Sequence, residues 1–483
     1  MTDPKRILVT GATGYVGGRL IPRLLEAGYQ VRVLVRDPAR LQGRSWLSRV
    51  EIATGDVLQP ATLPPAMAQC DAAYYMIHSM GDTADFHQRD LTAAHNFGRA
   101  AREAGVQRIV YLGGLGDPAA DLSQHLRSRQ ETGAALSEAG VPVTEFRAAI
   151  IVGSGSVSFE MIRYLTERVP VMICPQWVYT KVQPIAVRDV LSYLLATLDV
   201  PASAGRVIEI GGRDVLTYGE MMLGYAEARG LRRHLLPVPV LTPRLSSYWV
   251  HLVTPIPSSI AQPLIQGLRN EVIVRDDTAR HLFPAIQPLG YTTAVRLALG
   301  KLEAGAVETA WSDALFSSQG DTSPVAFTQQ EGLFIDRRQQ MTTATPAAAF
   351  GSFSRLGGDR GWLYANWAWR ARGIADRLIG GVGLRRGRRD PEHVHVGDAV
   401  DFWRVEAVEP DRLLRLRAEM KVPGRAWLQF EAIPQSERTT RVVQTAFFAP
   451  KGLFGVLYWY GLFPIHNLIF GGMVRRVVEQ AEG

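Results

Sequence analysis

The sequence predicts two folded units of different classes. The first is an α/β unit in which a doubly wound parallel sheet carries a smaller lobe, and the second is an α+β unit built on an antiparallel sheet. Short apolar strands alternate with amphipathic helices through residues 6–151, whereas half-buried strands follow one another near the C-terminus. Residues 317–326 are rich in Ser, Gly, Asp and Pro, as is typical of a linker. We therefore place the first unit at 1–320, its lobe at about 155–310, and the second unit at 326–483.

The composition is that of an ordinary globular protein. Hydrophobic residues make up 47% of the 483 residues and charged residues 20%, so the chain can bury more than one core. The net charge of +7 is spread along the chain, which does not favour a nucleic-acid partner. Only Cys70 and Cys174 carry thiols, so a reducing cytoplasm is the predicted compartment. The polar start MTDPK leads directly into a strand and predicts no signal peptide. The oligomeric state stays open.

The elements of the first unit follow from the periodicity of its apolar residues. A buried strand of a parallel sheet shows as a short, continuous apolar run. Such runs predict strands at 6–10, 30–36, 49–55, 71–79, 107–114 and 142–151. Amphipathic segments between them predict helices at 15–27, 83–104 and 121–139. Further strands are expected in the lobe at 206–212 and 292–303. Strands that are joined by helices pair in parallel, which gives the doubly wound sheet.

The second unit shows the period-two pattern of an antiparallel sheet. Leu414 and Leu416 fall on one side of a strand, whereas Arg415 and Arg417 fall on the other. Similar alternation predicts four strands, within 400–408, 411–421, 425–433 and 439–448, after a helix at 364–380. The turns between these strands are short, which favours a meander.

A long apolar segment near the C-terminus is expected to cover this sheet. Residues 452–474 contain no Asp, Glu, Lys or Arg and are long enough to cross a bilayer. Pro464, His466 and Asn467 interrupt the segment, and the preceding strands need a cover. We therefore favour a buried or membrane-touching helix over a membrane span. Peripheral membrane contact through this segment is the alternative to a purely cytoplasmic protein.

The segment VTGATGYVGGRL contains the clearest binding motif. Gly11, Gly14 and Gly17 lie between an apolar strand and a helix. In this arrangement the first glycine permits a tight turn, the second lets backbone N–H groups approach a pyrophosphate, and the third lets the helix pack closely on the strand. The helix N-terminus then attracts the anion. The sequence therefore predicts a dinucleotide site. The other loop residues assigned to this site are Thr13, Tyr15 and Val16.

The end of the second strand indicates which nicotinamide dinucleotide is bound. An acidic residue there binds the ribose 2′-hydroxyl of NAD, whereas an arginine neutralises the 2′-phosphate of NADP. Arg36 ends this strand and Arg40 follows one turn later, so NADP(H) is favoured. Asp37 keeps NAD(H) open. Asp56, with Val57 beside it at the end of the third strand, is expected to reach the adenine amino group.

These motifs resemble those of a known superfamily. The segments TGATGYVG, VLVRDPAR, GDV, VYLGGLG and VQPIAVRDV are similar to parts of the atypical short-chain dehydrogenase/reductases, specifically of their NmrA-like NAD(P)-binding branch. The resemblance covers about the first 310 residues and implies a Rossmann domain with a small C-terminal lobe. Members include NADPH-dependent reductases, isomerases and catalytically silent redox sensors. About the last 150 residues resemble an uncharacterised module fused to such proteins in bacteria, which is itself similar to the helix-grip, polyketide-cyclase-like fold.

The catalytic pair that this resemblance implies is absent. Active members use a tyrosine hydroxyl for proton transfer and a lysine four residues later, which lowers the pKa of the tyrosine and binds the nicotinamide ribose. None of the five lysines here lies four residues after a tyrosine. His125 and Arg129 stand at the matching place, with the spacing that puts both on one helix face. One interpretation is a proton-donating His125 with a cofactor-binding Arg129. The other is a helix that has lost catalysis and kept nucleotide binding.

Other candidate residues lie at the ends of strands or in short histidine motifs. His78 and Ser79 follow the fourth strand and Gly113 lies in the fifth, at the edge where substrate and nicotinamide meet. His393 and His395 have no third ligand nearby, so no metal site is expected.

Together these features predict an oxidoreductase that uses NADP(H) to reduce a hydrophobic carbonyl, enone or quinone-like compound. The alternative is a catalytically silent NADP(H) sensor or binding protein with a module for a hydrophobic ligand. The tryptophans of the second unit either fill its core or line a cavity for such a ligand. They are Trp362, Trp367, Trp369, Trp403, Trp427 and Trp459.

Overall fold

The chain divides into two units, Met1–Gln319 and Gly320–Gly483, in the computed structural model of the protein. The structure describes residues 5–41, 44–78, 86–238, 250, 253–254, 256, 258–303, 325–330, 332–378, 390, 392–436 and 439–483. Most of the expected linker at 317–326 lies outside these described residues. Each unit has a hydrophobic core of its own.

The first unit is built on a seven-stranded parallel sheet. The strands of the whole unit are β1 (Arg6–Thr10), β2 (Gln30–Val35), β3 (Glu51–Thr54), β4 (Ala72–Tyr75), β5 (Arg108–Gly114), β6 (Val143–Ala148), β7 (Ile151–Val152), β8 (Val171–Pro175), β9 (Lys181–Val182), β10 (Ile185–Ala186), β11 (Val207–Ile210), β12 (Leu216–Thr217) and β13 (His234–Val238). The parallel sheet has the order β11-β6-β5-β4-β1-β2-β3. The other strands form the two-stranded ladders β10-β7, β12-β9 and β13-β8. The predicted doubly wound parallel sheet is confirmed.

Helices cover both faces of this sheet. The helices of the first unit are α1 (Gly17–Glu26), α2 (Leu63–Met67), α3 (Phe86–Glu103), α4 (Gln124–Ser137), α5 (Val157–Arg168), α6 (Val187–Ala196), α7 (Tyr218–Ala228), α8 (Ser258–Gly267), α9 (Thr278–Leu282) and α10 (Tyr291–Glu303). The central strand β1 shows why its sequence is apolar throughout. Ile7 and Val9 join the core cluster that contains Leu20 of α1, whereas Leu8 joins the cluster that contains Phe97 of α3. Both faces of β1 are therefore buried, as parallel sheets require.

Of the two strands expected in the lobe, one is present in a different place and the other is wrong. The strand expected at 206–212 is confirmed as β11, but it pairs with β6 at the edge of the main sheet and not in the lobe. The segment 292–303 lies in helix α10 and is not a strand. Its buried residues recur at intervals of three and four, which is the helical period. They are Tyr291, Ala294, Val295, Ala298 and Leu299.

The second unit is an antiparallel sheet covered by helices. Its strands are β14 (Val325–Gln330), β15 (Leu333–Thr342), β16 (Ala399–Val400), β17 (Trp403–Glu409), β18 (Leu413–Ala418), β19 (Gly424–Ser436) and β20 (Thr439–Pro450). Its helices are α11 (Pro346–Ser354), α12 (Asn366–Leu378) and α13 (Gly452–Glu482). The sheet order is β14-β15-β20-β19-β18-β17-β16, with every neighbouring pair antiparallel. The predicted antiparallel sheet is confirmed, and its four expected strands correspond to β17–β20. The sequence analysis did not predict β14 and β15.

The aromatic residues of this unit mainly fill its core. The ring of Trp362 lies 5.1 Å from that of Trp369 and 6.1 Å from that of Trp403, measured between centroids. Trp459 of α13 stacks on Phe448 of the sheet, with 5.5 Å between the ring centroids. These four tryptophans are buried. Core filling therefore describes them, and the ligand cavity stays a prediction.

Helix α13 is long and apolar enough to cross a membrane, and it is the one such helix in the part of the chain that the structure describes. Val456, Trp459 and Phe470 on one of its faces are buried. That face is part of the core of the second unit. The expected role as a cover for the sheet is therefore visible in the packing.

A buried ion pair links the sheet to α13. Arg338 donates from Nε and Nη2 to the two carboxylate oxygens of Asp336, at 3.0 and 2.8 Å. Its Nη1 also donates to the backbone carbonyl of Asn467 at 2.9 Å. Arg338 and Asp336 are only 5% and 3% exposed. Because both charges are removed from water, each depends on the other for its stabilisation.

We expect Asp336→Asn to lower the free energy of unfolding of the second unit by roughly 3 kcal/mol, since Arg338 would remain buried without a counter-charge. Urea titration followed by tryptophan fluorescence measures this change. The control is Glu409→Gln, which breaks an exposed pair with Arg412 at 2.7 Å and should cost less than about 1 kcal/mol. Equal effects of the two substitutions would contradict the assignment.

Candidate active site

A cavity of about 320 Å³ opens in the first unit at the carboxyl edge of the parallel sheet. Its walls come from the glycine loop, from the ends of β4, β5 and β6, from α4 and α8, and from the start of α5. In a doubly wound sheet, this edge is where nucleotides and their substrates bind. The cavity is therefore the candidate active site.

Close backbone contacts require Gly11 and Gly17, whereas Gly14 leaves open space. Gly11 has a φ of +67°, and a Cβ atom placed on it would lie 2.4 Å from the carbonyl oxygen of Met76. A Cβ atom on Gly17 would lie 2.3 Å from the carbonyl oxygen of Gly11. A Cβ atom on Gly14, in contrast, would meet only the carbonyl oxygen of Gly11, at 3.1 Å. Gly14 lines the cavity, so its missing side chain leaves room there for a phosphate.

Helix α1 begins at this loop without a cap from its own side chains. Val16 at the N-cap makes no side-chain hydrogen bond and the first turn has no acidic residue, in a helix whose residues are all described. The partial positive charge of the helix N-terminus is therefore not neutralised locally and suits a pyrophosphate. Gly14, Tyr15, Val16 and Gly17 line the cavity, whereas Thr13 lies outside its wall.

The two arginines after β2 differ in their surroundings. Arg36 is exposed and has no acidic partner among the residues that the structure describes. Nε of Arg40 lies 3.4 Å from a carboxylate oxygen of Asp37, with which it forms an ion pair. Arg36 therefore offers a charge that no described residue neutralises, and Asp37 shares its charge with Arg40.

Asp56 and Val57 hold the turn after β3. A carboxylate oxygen of Asp56 accepts a hydrogen bond from the backbone N–H of Leu58 at 3.0 Å. The backbone N–H of Asp56 donates to the hydroxyl of Thr62 at 3.0 Å. Val57 is buried, and its carbonyl accepts from the side-chain amide of Asn96 at 3.0 Å. These bonds fix the turn, and the contact of Asp56 with adenine stays a prediction.

His125 and Arg129 line the cavity from α4. His125 is the second residue of this helix, whose N-terminus is capped by Ser123 through a hydrogen bond from the backbone N–H of Leu126 at 3.3 Å. Arg129 follows one turn later and donates from Nη2 to the backbone carbonyl of Leu112 at the end of β5. This bond holds the guanidinium at the carboxyl edge of the sheet. The catalytic role of the pair stays a prediction.

His78, which follows β4, meets His125 in the cavity wall. The centroids of the two imidazole rings are 5.1 Å apart. Nδ1 of His78 lies 3.1 Å from a carboxylate oxygen of Asp90 on α3. Its Nε2 is buried and has no hydrogen-bond partner within the described part of the chain. Ser79, the next predicted site residue, lies outside the described residues.

The surroundings shift the acidity of these groups. Burial lowers the pKa of His78, and the hydrogen bond that His78 donates to Asp90 opposes this shift. Burial, with smaller contributions from His78 and Arg129, holds the pKa of His125 well below its usual value. Burial raises the pKa of Tyr111 on β5 to about 12. At neutral pH, His125 is therefore a neutral imidazole and Tyr111 keeps its proton.

Sequence reasoning missed three polar residues at this site. Asp90 lies on α3, 12 residues after His78, so no local pattern predicts their contact. Tyr218 of α7 lines the cavity with a buried hydroxyl that has no partner among the described residues, and burial raises its pKa well above the usual value. Glu145 is a charged residue within the apolar strand β6, and this break in the apolar pattern is the sequence feature that could have singled it out. Its Oε1 accepts from Arg147 at 2.7 Å and occupies the space beside Gly113, where a Cβ atom would lie 2.7 Å away.

The comparison with protein families identifies the first unit. Residues 11–139 match a family model described as NAD(P)H-binding. The first unit is an NAD(P)(H)-binding Rossmann domain of the short-chain dehydrogenase/reductase type. Residues 329–473 match a second family, described as protein of unknown function (DUF2867). The predicted nucleotide-binding domain and the uncharacterised C-terminal module are thus confirmed.

Individual relatives are reductases and a dehydrogenase. A 3-beta-hydroxysteroid dehydrogenase of Mycolicibacterium neoaurum is 35% identical over 120 residues, which are 23% of this chain and 32% of that protein. This chain therefore spans about a third of that relative. A (4-alkanoyl-5-oxo-2,5-dihydrofuran-3-yl)methyl phosphate reductase of Streptomyces griseus is 28% identical over 292 residues, 59% of this chain and 92% of that protein. The triphenylmethane reductase of Citrobacter sp., solved with NADP(H), superposes with a TM-score of 0.50 over 60% of this chain and 99% of that chain, at 22% identity. That last similarity shows the fold.

We expect Gly14→Val to raise the Kd for NADPH at least roughly 100-fold, because the new side chain fills the space in front of the helix N-terminus. Isothermal titration calorimetry measures the affinity, and circular dichroism checks the fold. The matched control is Gly300→Val on α10, where a Cβ atom would meet nothing within 4 Å. Unchanged NADPH binding by the Gly14 variant would rule out this loop as the pyrophosphate site.

Proposed function

We propose that the protein is an NADPH-dependent reductase of a hydrophobic carbonyl, enone or quinone-like compound. A reduced nicotinamide, when bound, supplies a hydride. In this proposal the glycine loop binds the pyrophosphate, and Arg129 contacts the nicotinamide ribose from the edge of the sheet. A histidine of the cavity, for which His125 is the candidate from the sequence, provides the proton that accompanies the hydride.

The observation that supports this function is the shared cavity. One cavity is lined by the glycine loop and by His78, His125 and Tyr218, so nucleotide and proton-carrying groups face the same space. Tyr218 keeps its hydroxyl proton and can donate a hydrogen bond to a carbonyl oxygen of the substrate. Much of the remaining wall is apolar, which favours a hydrophobic acceptor. Its apolar residues include Leu115, Leu126, Met161, Leu264, Leu268 and Val272.

The choice of NADP(H) over NAD(H) rests on the end of β2. The exposed guanidinium of Arg36 has no acidic partner among the described residues and can neutralise a 2′-phosphate. Asp37, the residue that would favour NAD(H), forms an ion pair with Arg40. A 2′-phosphate therefore meets positive charge here.

We expect Arg36→Ala to raise the Kd for NADPH about 10-fold or more, since a charge-assisted hydrogen bond contributes roughly 1.5–3 kcal/mol. The Kd for NADH should stay unchanged, because NADH has no 2′-phosphate. Fluorescence titration with both nucleotides provides the measurement. Arg49→Ala is the control, because Arg49 is also exposed but precedes β3, at the amino edge of the sheet, whereas Arg36 lies at the carboxyl edge. A parallel loss of NADPH and NADH affinity would contradict the phosphate contact.

Turnover itself is tested with NADPH and a panel of quinones and enones, such as menadione and long-chain enones. We expect NADPH oxidation, followed at its absorbance maximum, to depend on the acceptor and to be slowed by Tyr218→Phe mainly through a higher KM. The matched control is Tyr291→Phe, whose hydroxyl donates to the backbone carbonyl of Met221 and is not in the cavity wall. Tight NADPH binding without turnover on the whole panel would favour the silent sensor instead.

The exposed face of α13 supports a second proposal, peripheral contact with an anionic membrane. Phe454, Leu457, Ile465 and Leu468 are 80%, 53%, 49% and 60% exposed and recur along one face of the helix. The neighbouring helix α12 also exposes apolar side chains, namely Trp367, Ile374 and Leu378. Exposed cations lie on or next to these helices: Lys451 precedes α13, Arg475 lies in α13 and Arg370 lies in α12. An apolar helix face with basic flanks is typical of an interfacial helix that lies on a membrane.

We expect the protein to sediment with vesicles that contain phosphatidylglycerol and less with vesicles of phosphatidylcholine alone. Leu457→Asp combined with Leu468→Asp should remove most of this binding, because two charges enter the apolar face. The control is Leu297→Asp, which alters a 47% exposed leucine of the first unit. A protein that ignores both kinds of vesicle and self-associates through this face would contradict the proposal.

A further inference from the structure

The strongest unassigned feature of the cavity is the pair formed by His78 and Asp90. The carboxylate of Asp90 lies 3.1 Å from Nδ1 of His78 and is 4% exposed. A carboxylate accepts hydrogen bonds, so this contact places the proton of a neutral imidazole on Nδ1. Nε2 of His78 is then the free position of the ring, and it is buried in the cavity wall without a hydrogen-bond partner among the described residues.

We propose that His78, oriented by Asp90, is the proton donor of this active site. The inference rests on the reductase function proposed above and names a different residue from the one that the sequence suggests. Asp90 acts through His78 and is a positioning residue. It fixes the ring so that Nδ1 holds one proton toward Asp90 and Nε2 is the nitrogen left for the acceptor, and it stabilises the imidazolium that carries the second proton.

The alternative donor, His125, lacks such support. The imidazoles of His78 and His125 lie next to each other, with Asp90 of α3, Arg129 of α4 and Tyr111 of β5 near them. The hydroxyl of Tyr111 donates to the backbone carbonyl of Arg129 at 2.9 Å. Among the described residues, His125 has no carboxylate contact, and burial, His78 and Arg129 all disfavour its charged form. Burial and Arg129 also disfavour the charged form of His78, but its contact with Asp90 opposes them. Asp90 is the one carboxylate among these described groups, and it contacts His78. A proton therefore resides more readily on His78 than on His125.

The reaction balances with this assignment. The acceptor takes a hydride at carbon from NADPH, and two electrons pass with it. The oxyanion that develops on the acceptor takes the proton from Nε2 of the His78 imidazolium. His78 is left neutral with its remaining proton on Nδ1 toward Asp90, and it regains a proton from solvent. The acceptor is reduced, NADPH is oxidised, and one proton from solvent is consumed.

The kinetic test compares Asp90→Asn and His78→Asn with His125→Asn, using NADPH and menadione. The first two variants should lower kcat roughly 100-fold, within the usual range for general acid catalysis, with an unchanged Kd for NADPH. His125→Asn should lower it less than about 10-fold. A proton donor must be charged, so kcat falls as pH rises through the pKa of His78. Asp90→Asn removes the contact that raises this pKa and should move the fall to lower pH.

The matched control is Glu138→Gln. It removes the carboxylate of an exposed pair, in which Nδ1 of His95 on α3 lies 3.3 Å from Glu138 at the end of α4. The control therefore alters another histidine–carboxylate pair that involves α3. This variant should leave both kcat and the pH profile unchanged. Thermal unfolding of all variants separates a loss of catalysis from a loss of fold. A wild-type pH profile in Asp90→Asn, or full activity in His78→Asn, would overturn the inference.

A second measurement does not depend on turnover. Nitrogen-15 NMR of histidine-labelled protein without nucleotide distinguishes the two imidazole tautomers. We expect His78 to carry its proton on Nδ1, and Asp90→Asn to abolish this preference and lower the pKa of His78. The opposite tautomer in the wild-type protein would overturn the dyad whatever the activity. The expected tautomer in a protein that never oxidises NADPH would support the dyad and contradict the proposed function alone.

Discussion

The chemistry of this protein depends on the parallel pairing of β1, β4, β5 and β6. Parallel strands end at the same edge of a sheet, so residues that are distant in the sequence reach one cavity there. The glycine loop follows β1, His78 follows β4, and Arg129 is tied to the end of β5 through the carbonyl of Leu112. Without this common edge, the phosphate site and the histidines would not share a space.

The parts of the site that the sequence predicts are those encoded locally. The glycine loop and the arginine after β2 need only a strand, a turn and a helix in succession, and the four-residue spacing of His125 and Arg129 places them on one helix face. Asp90 and Tyr218 reach the site through tertiary packing that no local pattern encodes. The prediction of a strand at 292–303 was wrong because tertiary packing also decides the structure there. Its Thr and Val residues suit a strand, but its buried residues follow the helical period, which tertiary packing decides.

The second unit shows the same division between local and long-range information. Alternation in β17–β20 was visible because one face of each strand is apolar. β14 and β15 were missed because β15 carries Asp336 and Arg338 on its buried face, which breaks the pattern expected of a core strand. Those charges are tolerated because they satisfy each other and because α13 accepts the remaining hydrogen bonds. A strand can therefore be buried and still have a polar sequence pattern.

The replacement of tyrosine and lysine by histidine and arginine changes where a proton can reside. A lysine beside a tyrosine lowers the pKa of the phenol, whereas Arg129 donates to the carbonyl of Leu112 and does not lose its own proton in proteins. Tyr111 and Tyr218 are buried and keep their protons. Of the described groups that line the cavity, the two imidazoles are those whose usual pKa lies nearest to neutral pH, and burial lowers the pKa of both. Only one of them faces a carboxylate, and a buried carboxylate next to a histidine is the arrangement that makes an imidazole a directional donor. In the proposed reaction, the loss of the usual pair therefore moves proton transfer from α4 to the contact between His78, after β4, and Asp90 of α3.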